Sequence, residues 1–130
     1  MSMSSDLYTY LSTYANLTAL IGMQVYPVDA VPKTAKLPYV TYEVVDNPGH
    51  HLMGADAALY SPSYELSVFS ATIDNIKAIE AVLLTALKDY RGTMGSTTVQ
   101  RIFYENSYYG GFDQDIGTYS QTLEFTFWHE

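Results

Sequence analysis

Two histidines stand side by side in LPYVTYEVVDNPGHH, as His50 and His51, and LMGAD places Asp56 a few residues further on. Imidazole and carboxylate are ligands that zinc and its neighbours accept. Their spacing does not assemble a coordination shell, because adjacent residues with no helix to align them point apart and no HExxH pattern is present. The remaining histidine, His129, stands near the other end of the chain. We therefore expect neither a metal nor any other cofactor, and read His50, His51 and Asp56 as an exposed, contact-making loop. GGFDQDIG poses a similar question, since a Gly-rich turn can bring Asp113 and Asp115 together. Calcium needs more oxygen ligands than two carboxylates supply, and the DxDxDG pattern with its distant Glu is missing.

Catalytic signatures are equally thin. There is no GxSxG elbow, no phosphate loop ending in GK[ST] and no GxGxxG, and the chain has no cysteine to act as a nucleophile or thiolate ligand. Abundant Ser and Thr do not by themselves make a nucleophile, which needs a placed base and a site for developing charge. A small hydrolase using His50 or His51 as an acid/base group is the least implausible enzyme. The expectation is that this is not an enzyme.

Such residues need a scaffold, and 130 residues of which 48% are hydrophobic and 15% charged can bury a core as a single domain over 1–130. The charge balance of 6 Lys and Arg against 14 Asp and Glu, formally -8, argues against a broad phosphate-binding surface. Lys33 and Lys36 read as a solvated loop. The termini show no basic leader and no long apolar run, so a soluble chain without a membrane span is expected, and the lack of cysteine suits a reducing cytoplasm. Thirteen tyrosines exceed what packing alone should require and suit an interface.

SSDLYTYLSTYANLTALIG opens with a Ser/Asp cap and sets Leu7, Leu11, Tyr14, Leu17 and Ile21 at helical spacing, which predicts one helix over about 6–21, closed by Gly22. A proline-rich excursion follows, with a short extended piece at Val25 and Tyr26. YVTYEVVD alternates as a strand with Val40, Tyr42 and Val44 on the core side, and SYELSVFS repeats the pattern with Tyr64, Leu66 and Val68. ATIDNIKAIEAVLLTALKDYRG carries the stripe Ile76, Ile79, Leu83, Leu87 and Tyr90, a second helix started by Thr72 or Asp74 and ended by Gly92. Two more strands follow, one directing Ile102 and Tyr104 inward and one directing Leu123, Phe125 and Phe127 inward, with GGFDQD as the connector.

The order helix-strand-strand-helix-strand-strand predicts an α+β fold with two helices packed on one face of a mainly antiparallel four-stranded sheet. Leu11, Leu17, Leu66, Ile79, Leu83, Leu123 and Phe125 should form its core. The opposite face would carry Thr41, Glu43, Glu65, Ser67, Arg101, Glu105, Thr122, Glu124 and Thr126 with Phe69, Phe103 and Trp128, aromatics that suit an intersubunit surface.

The ordered set AL-IG-VYP, LPYVTYEV, YELSVFS with its following helix, and TYSQTLEFTFW resembles the tail-completion or tail-terminator proteins of long-tailed bacteriophages and prophages, a family once described only as a domain of unknown function. The resemblance spans essentially the whole chain. It implies a structural protein of the virion tail, made in the host cytoplasm, that forms a hexameric ring at the head-proximal end of the tail tube, stops tube growth and joins the tail to the head. Implied partners are further copies of the chain, the tail tube protein and the head-completion or connector protein. DNA would pass through the ring without sequence-specific binding, and no membrane is involved. Tyr26, Pro27 and residues 37–42 match the family's first-strand region, residues 119–128 its last strand, and the resemblance transfers no catalytic residue. On this basis the loops carrying His50, His51 and Asp56, and Tyr108, Tyr109, Phe112, Asp113 and Asp115, are expected to touch neighbouring subunits or tail components. The alternative is a soluble adaptor that binds a peptide along an exposed strand edge.

Overall fold

The computed structural model describes residues 3–46, 49–51 and 58–130. Its N-terminal segment is two helices, α1 (Met3–Ser12) and α2 (Ala15–Ile21), where the sequence predicted one. The break has a local cause: the β-branched Thr13 turns its hydroxyl back onto the Thr9 carbonyl at 2.6 Å, and Tyr14 takes the extended angles φ -77, ψ 111. Both halves still present one apolar stripe, since Leu7, Leu11, Leu17 and Ile21 are all buried. Gly22, at φ 65, ends α2 with its N–H on the Thr18 carbonyl.

The strands are β1 (Val25–Pro27), β2 (Tyr39–Asp46), β3 (Gly49–His51), β4 (Ala58–Tyr60), β5 (Ser63–Ser70), β6 (Gly92–Met94), β7 (Thr97–Asp113) and β8 (Thr118–His129). A third helix, α3 (Ile73–Leu87), follows β5 and begins where Thr72 Oγ1 accepts the Asn75 N–H at 3.2 Å. The α+β class therefore holds, but the four-stranded antiparallel sheet does not. All the described strands join one mixed sheet of order β1-β2-β5-β8, with β7 on the other edge of β8 and β6 beyond β7. β1 lies parallel to β2, through Val25 opposite Val40, which makes the sheet mixed. Gln24 holds the proline-rich excursion in place by donating to the Pro38 carbonyl and accepting from the Lys36 N–H, both at 3.0 Å.

β2 with β3 and β4 with β5 form one long hairpin, because the pairing of Val44 with Tyr64 continues, after a bulge, into Asp46 with Ser63 and then Gly49 with Tyr60. Pro62 sits at the break between β4 and β5, as a residue without a ladder donor should.

All seven residues predicted for the core are at most 1% exposed. They join Val40, Val68, Ile76, Leu87, Ile102 and Phe127 in one cluster between the three helices and one face of the sheet. Two assignments fail at the margins. Val44 is 45% exposed because β2 runs past the helices that cover Val40. Gly92 does not end α3; the helix stops at Leu87, and Gly92 opens β6 instead.

Much of the tyrosine excess is packing after all. Tyr64 is buried, and Tyr8, Tyr10, Tyr14, Tyr42, Tyr90, Tyr104 and Tyr119 pack against the core. Tyr10 joins α1 to α3 by donating to the Ala86 carbonyl at 2.8 Å and meets the rings of Tyr14 and Tyr90. Burial, aided by those two phenols, pushes its pKa up to about 12, so it remains a donor through neutral and alkaline pH.

Candidate assembly surface

The segment from Tyr108 to Asp113 is strand rather than connector. β7 runs on to Asp113, placing Tyr108, Tyr109, Phe112 and Asp113 on its final stretch, while Asp115 occupies the turn to β8. Two local features let a chain with two adjacent glycines stay in the ladder. Gly111 adopts φ 100 at a shift of register between Tyr109 and Gly111, and a Cβ on Gly110 would overlap Ser120 Oγ. The turn is closed by Asp113, whose Oδ1 accepts the Asp115 N–H at 3.0 Å, and by Gly117 at φ 64. Asp113 thus serves the turn itself.

The register decides which way each side chain of this strand points. Tyr108 stands opposite Thr122, which continues through Ser67 to Thr41, so Tyr108 belongs to the face away from the helices. Tyr109 stands opposite Gln121, in line with Val68 and Val40, on the helix side. There it lines a shallow groove of about 500 Å³ with Ile73, Ile76, Lys77, Glu80 and Gln121. Tyr108, Tyr109 and Phe112 are 43%, 54% and 45% exposed, and the Phe112 ring meets Tyr119 at 4.5 Å. One strand therefore offers aromatics on both faces at one end of the sheet.

His50 and His51 lie on β3, opposite Leu59 and Ala58 of β4, and Asp56 falls outside the described residues. They are at the far end of the sheet from Tyr108, because β8 enters beside Asp113 and leaves with His129 beside Tyr60. The two predicted contact sets are thus not brought together. The same topology carries His129, remote in sequence, to the end that holds β3; its ring stacks on Tyr60 at 5.6 Å. Among the described residues no group of three metal-ligating side chains converges.

The face away from the helices carries a row of like charge. Glu43, Glu65 and Glu124 are directly opposite one another on three adjacent strands, with Glu105 at the bulge next to Asn106. Sequence alternation assigned these residues to one face but could not align them across strands. Above the row, Ser67 and Thr122 share a hydroxyl hydrogen bond of 3.1 Å, and Thr41 and Thr122 are nearly closed to solvent. At the far side Tyr39 stacks on Phe69 at 5.0 Å with Tyr26 edge-on to Tyr39. Arg101 pairs with Asp89 at 2.9 Å and lies over Phe103, both in solvent.

Sequence reading missed the group that locks the N-terminus. Asp6 is not a cap but a carboxylate inside α1, 1% exposed, whose Oδ2 accepts the hydroxyls of Ser96 and Thr97 at the β6–β7 turn. Burial alone would raise its pKa; the hydrogen bonds from Thr97 and Ser96 outweigh that and hold it below the usual carboxylate value. Gly95 is required beside it, since at φ 61 a Cβ would collide with Asp6 Oδ1.

Exposed aromatics and long strand edges are features of surfaces that bind protein. A chain from the virion of a native gene transfer agent particle has the same fold, with a TM-score of 0.78 over 99% of this chain and 95% of that one, at 20% sequence identity. No curated protein matches the sequence. The family model described as tail completion protein gp17 matches residues 5–130, from the first helix through the last strand, and on that match the chain belongs to this family of structural phage-tail proteins.

Proposed function

We propose that this protein forms a hexameric ring at the head-proximal end of the phage tail tube, where it stops tube growth and joins the tail to the head-completion or connector protein. The observation that carries the reading is the family match over residues 5–130. The fold is consistent with it in two respects. A protein held between a tube and a head needs contacts at two separate ends of a rigid body, and the β3–β4 end and the Tyr108–Asp115 end are opposite ends of one sheet. A passage for DNA must also avoid holding phosphate, which the formal charge of -8 and the row of Glu43, Glu65 and Glu124 favour if that face looks inward. The function is repeated protein contact, with no catalytic step and no membrane.

The test is Tyr108→Ser with Tyr109→Ser in assembling particles, after circular dichroism shows that the fold is kept. Both side chains are half exposed and their removal leaves the core intact. Electron microscopy should then find tails that lack terminal density or overextend, with fewer joined heads and a lower infectious yield. Normal occupancy of tail ends, normal tube length and normal head joining in the folded double variant would refute the contact role of these tyrosines.

A further inference from the structure

Strand β7 has two edges, and one of them is nearly bare. β8 pairs with the first along its whole length. The second carries β6 at Thr97–Val99, then the exchange in which Ile102 donates to the Tyr90 carbonyl and accepts from the Asp89 N–H. From Phe103 to Asp113, no described segment pairs with it. Which amides face outward follows from the ladder. Phe127 donates to the Pro62 carbonyl, away from β7, so by alternation Phe125, Leu123, Gln121 and Tyr119 also turn toward β5. Their partners on β7, namely Tyr104, Ser107, Tyr109 and Phe112, present N–H and C=O to the open side. Exposed edges are ordinarily blunted by Lys, Pro or charge. YENSYYGGFD has no Lys, Arg or Pro, and Ser107 to Phe112 carries no charge at all.

Among the described residues, the opposite side of the same sheet has a second open edge. β1 covers β2 through Val40, Thr41 and Tyr42, Val28 adds a bond to the Tyr42 carbonyl, and the cover then stops. Val44 and Val45 beyond it are 45% and 51% exposed. Val40 donates outward to Gln24, so Val44, two residues further along each step, also faces out. In a chain of charge -8 copies repel one another, and the repulsion is weakest along an edge without charge; Ser107 to Phe112 on β7 is such a stretch, and the apolar pair it would meet on β2, Val44 and Val45, is flanked by Glu43 and Asp46.

We propose that the outer edge of β7 pairs with the outer edge of β2 in a second copy of this chain, extending the sheet from subunit to subunit. Two different edges pair head to tail, and such a contact closes into a ring when its rotation permits. The inference rests on the ring reading and adds to it the strands that join neighbours.

Proline tests the edges without touching the core, because it removes an outward amide while leaving the inner ladder bonded. Ser107→Pro should block the β7 edge and Val44→Pro the β2 edge, each weakening self-association by at least about tenfold, the worth of a lost ladder bond and the steric block together. Native mass spectrometry and electron microscopy of tail ends read the result. The two variants mixed should give dimers and nothing larger, since one competent edge of each kind remains. Hydrogen exchange on the unaltered chain is a check that needs no variant: amides of Ser107, Tyr109 and Phe112 should gain protection on assembly, while Tyr108 and Gly111, already bonded to β8, should not change. Assembly of Ser107→Pro or Val44→Pro as large as wild type, or protection gained elsewhere, would overturn the edge proposal and leave the ring standing. A wild-type chain that stays monomeric in solution and on tail ends would instead overturn the ring, and this inference with it. Binding of a monomer to the tube that Ser107→Pro abolishes would show that the β7 edge serves a different protein.

Discussion

At the scale of single residues, the buried Asp6 carboxylate is the most consequential group outside the contact surface. It fastens the first helix to the β6–β7 turn, 90 residues away in sequence, through Ser96 and Thr97. Its pKa is lowered in the folded chain, so folding favours the ionised form. The stabilisation is therefore complete above the unfolded value of 3.8 and is lost as pH falls through the lower folded value. Asp6→Asn should cost about 1–3 kcal/mol near neutral pH, the range for disturbing a buried charged hydrogen-bonding group. The gap between wild type and variant should hold steady from neutral pH down to the unfolded value of 3.8 and narrow only as pH falls further. Urea unfolding at a series of pH values checks this, and a gap independent of pH would show that Asp6 is not held as a carboxylate. The sequence could display Asp6 only as an acidic residue near a helix start, where capping is the usual role. Its partners stand some ninety positions along the chain, beyond the reach of any local pattern.

At the scale of elements, the helical stripes were the most legible feature. Ile76, Ile79, Leu83 and Leu87 recur at the helical period, and all four are buried. Leu83 is fully enclosed, so Leu83→Ala should destabilise by about 2–5 kcal/mol through lost transfer energy and a cavity. A change in unfolding free energy below about 0.5 kcal/mol would be too small for a core position. Strands were harder to bound. Period-two alternation identified β2, β5 and β8 and, Val44 apart, their inward residues, but the end of β7 was hidden by two bulges. Each bulge shifts the inward and outward alternation by one, so Glu105 and the Gly pair broke the pattern that would have announced a strand reaching Asp113. The helix break at Thr13 was obscured for the opposite reason: the apolar stripe continues across it, and periodicity reports the buried face rather than the backbone.

At the scale of the whole molecule, the topology sorts the candidate residues into two ends and two edges. It also sets a sharper test of the metal expectation, since β3, which carries His50 and His51, begins at Gly49 opposite Tyr60, and Tyr60 in turn pairs with His129. Native mass spectrometry of chain purified without added metal should still find none bound in stoichiometric amount. One zinc per chain, lost in His50→Ala with His51→Ala, would overturn that expectation; lost assembly with no metal in either form would assign the pair to a protein contact. Taken alone, the sequence determined the α+β class, the two apolar helical stripes, the inward residues of three strands, the acidic balance and the full-length family resemblance. These are local or additive properties, set by side-chain period and composition. Only the tertiary structure decided that β1 adds in parallel, that Asp6 is a buried anchor, that three glutamates stand abreast, that His50 and His51 lie at the opposite end of the sheet from Tyr108 and Tyr109, and that β7 keeps an open edge among the described residues. Each of these depends on register between segments far apart in the chain, and register is set by the packing of the whole core.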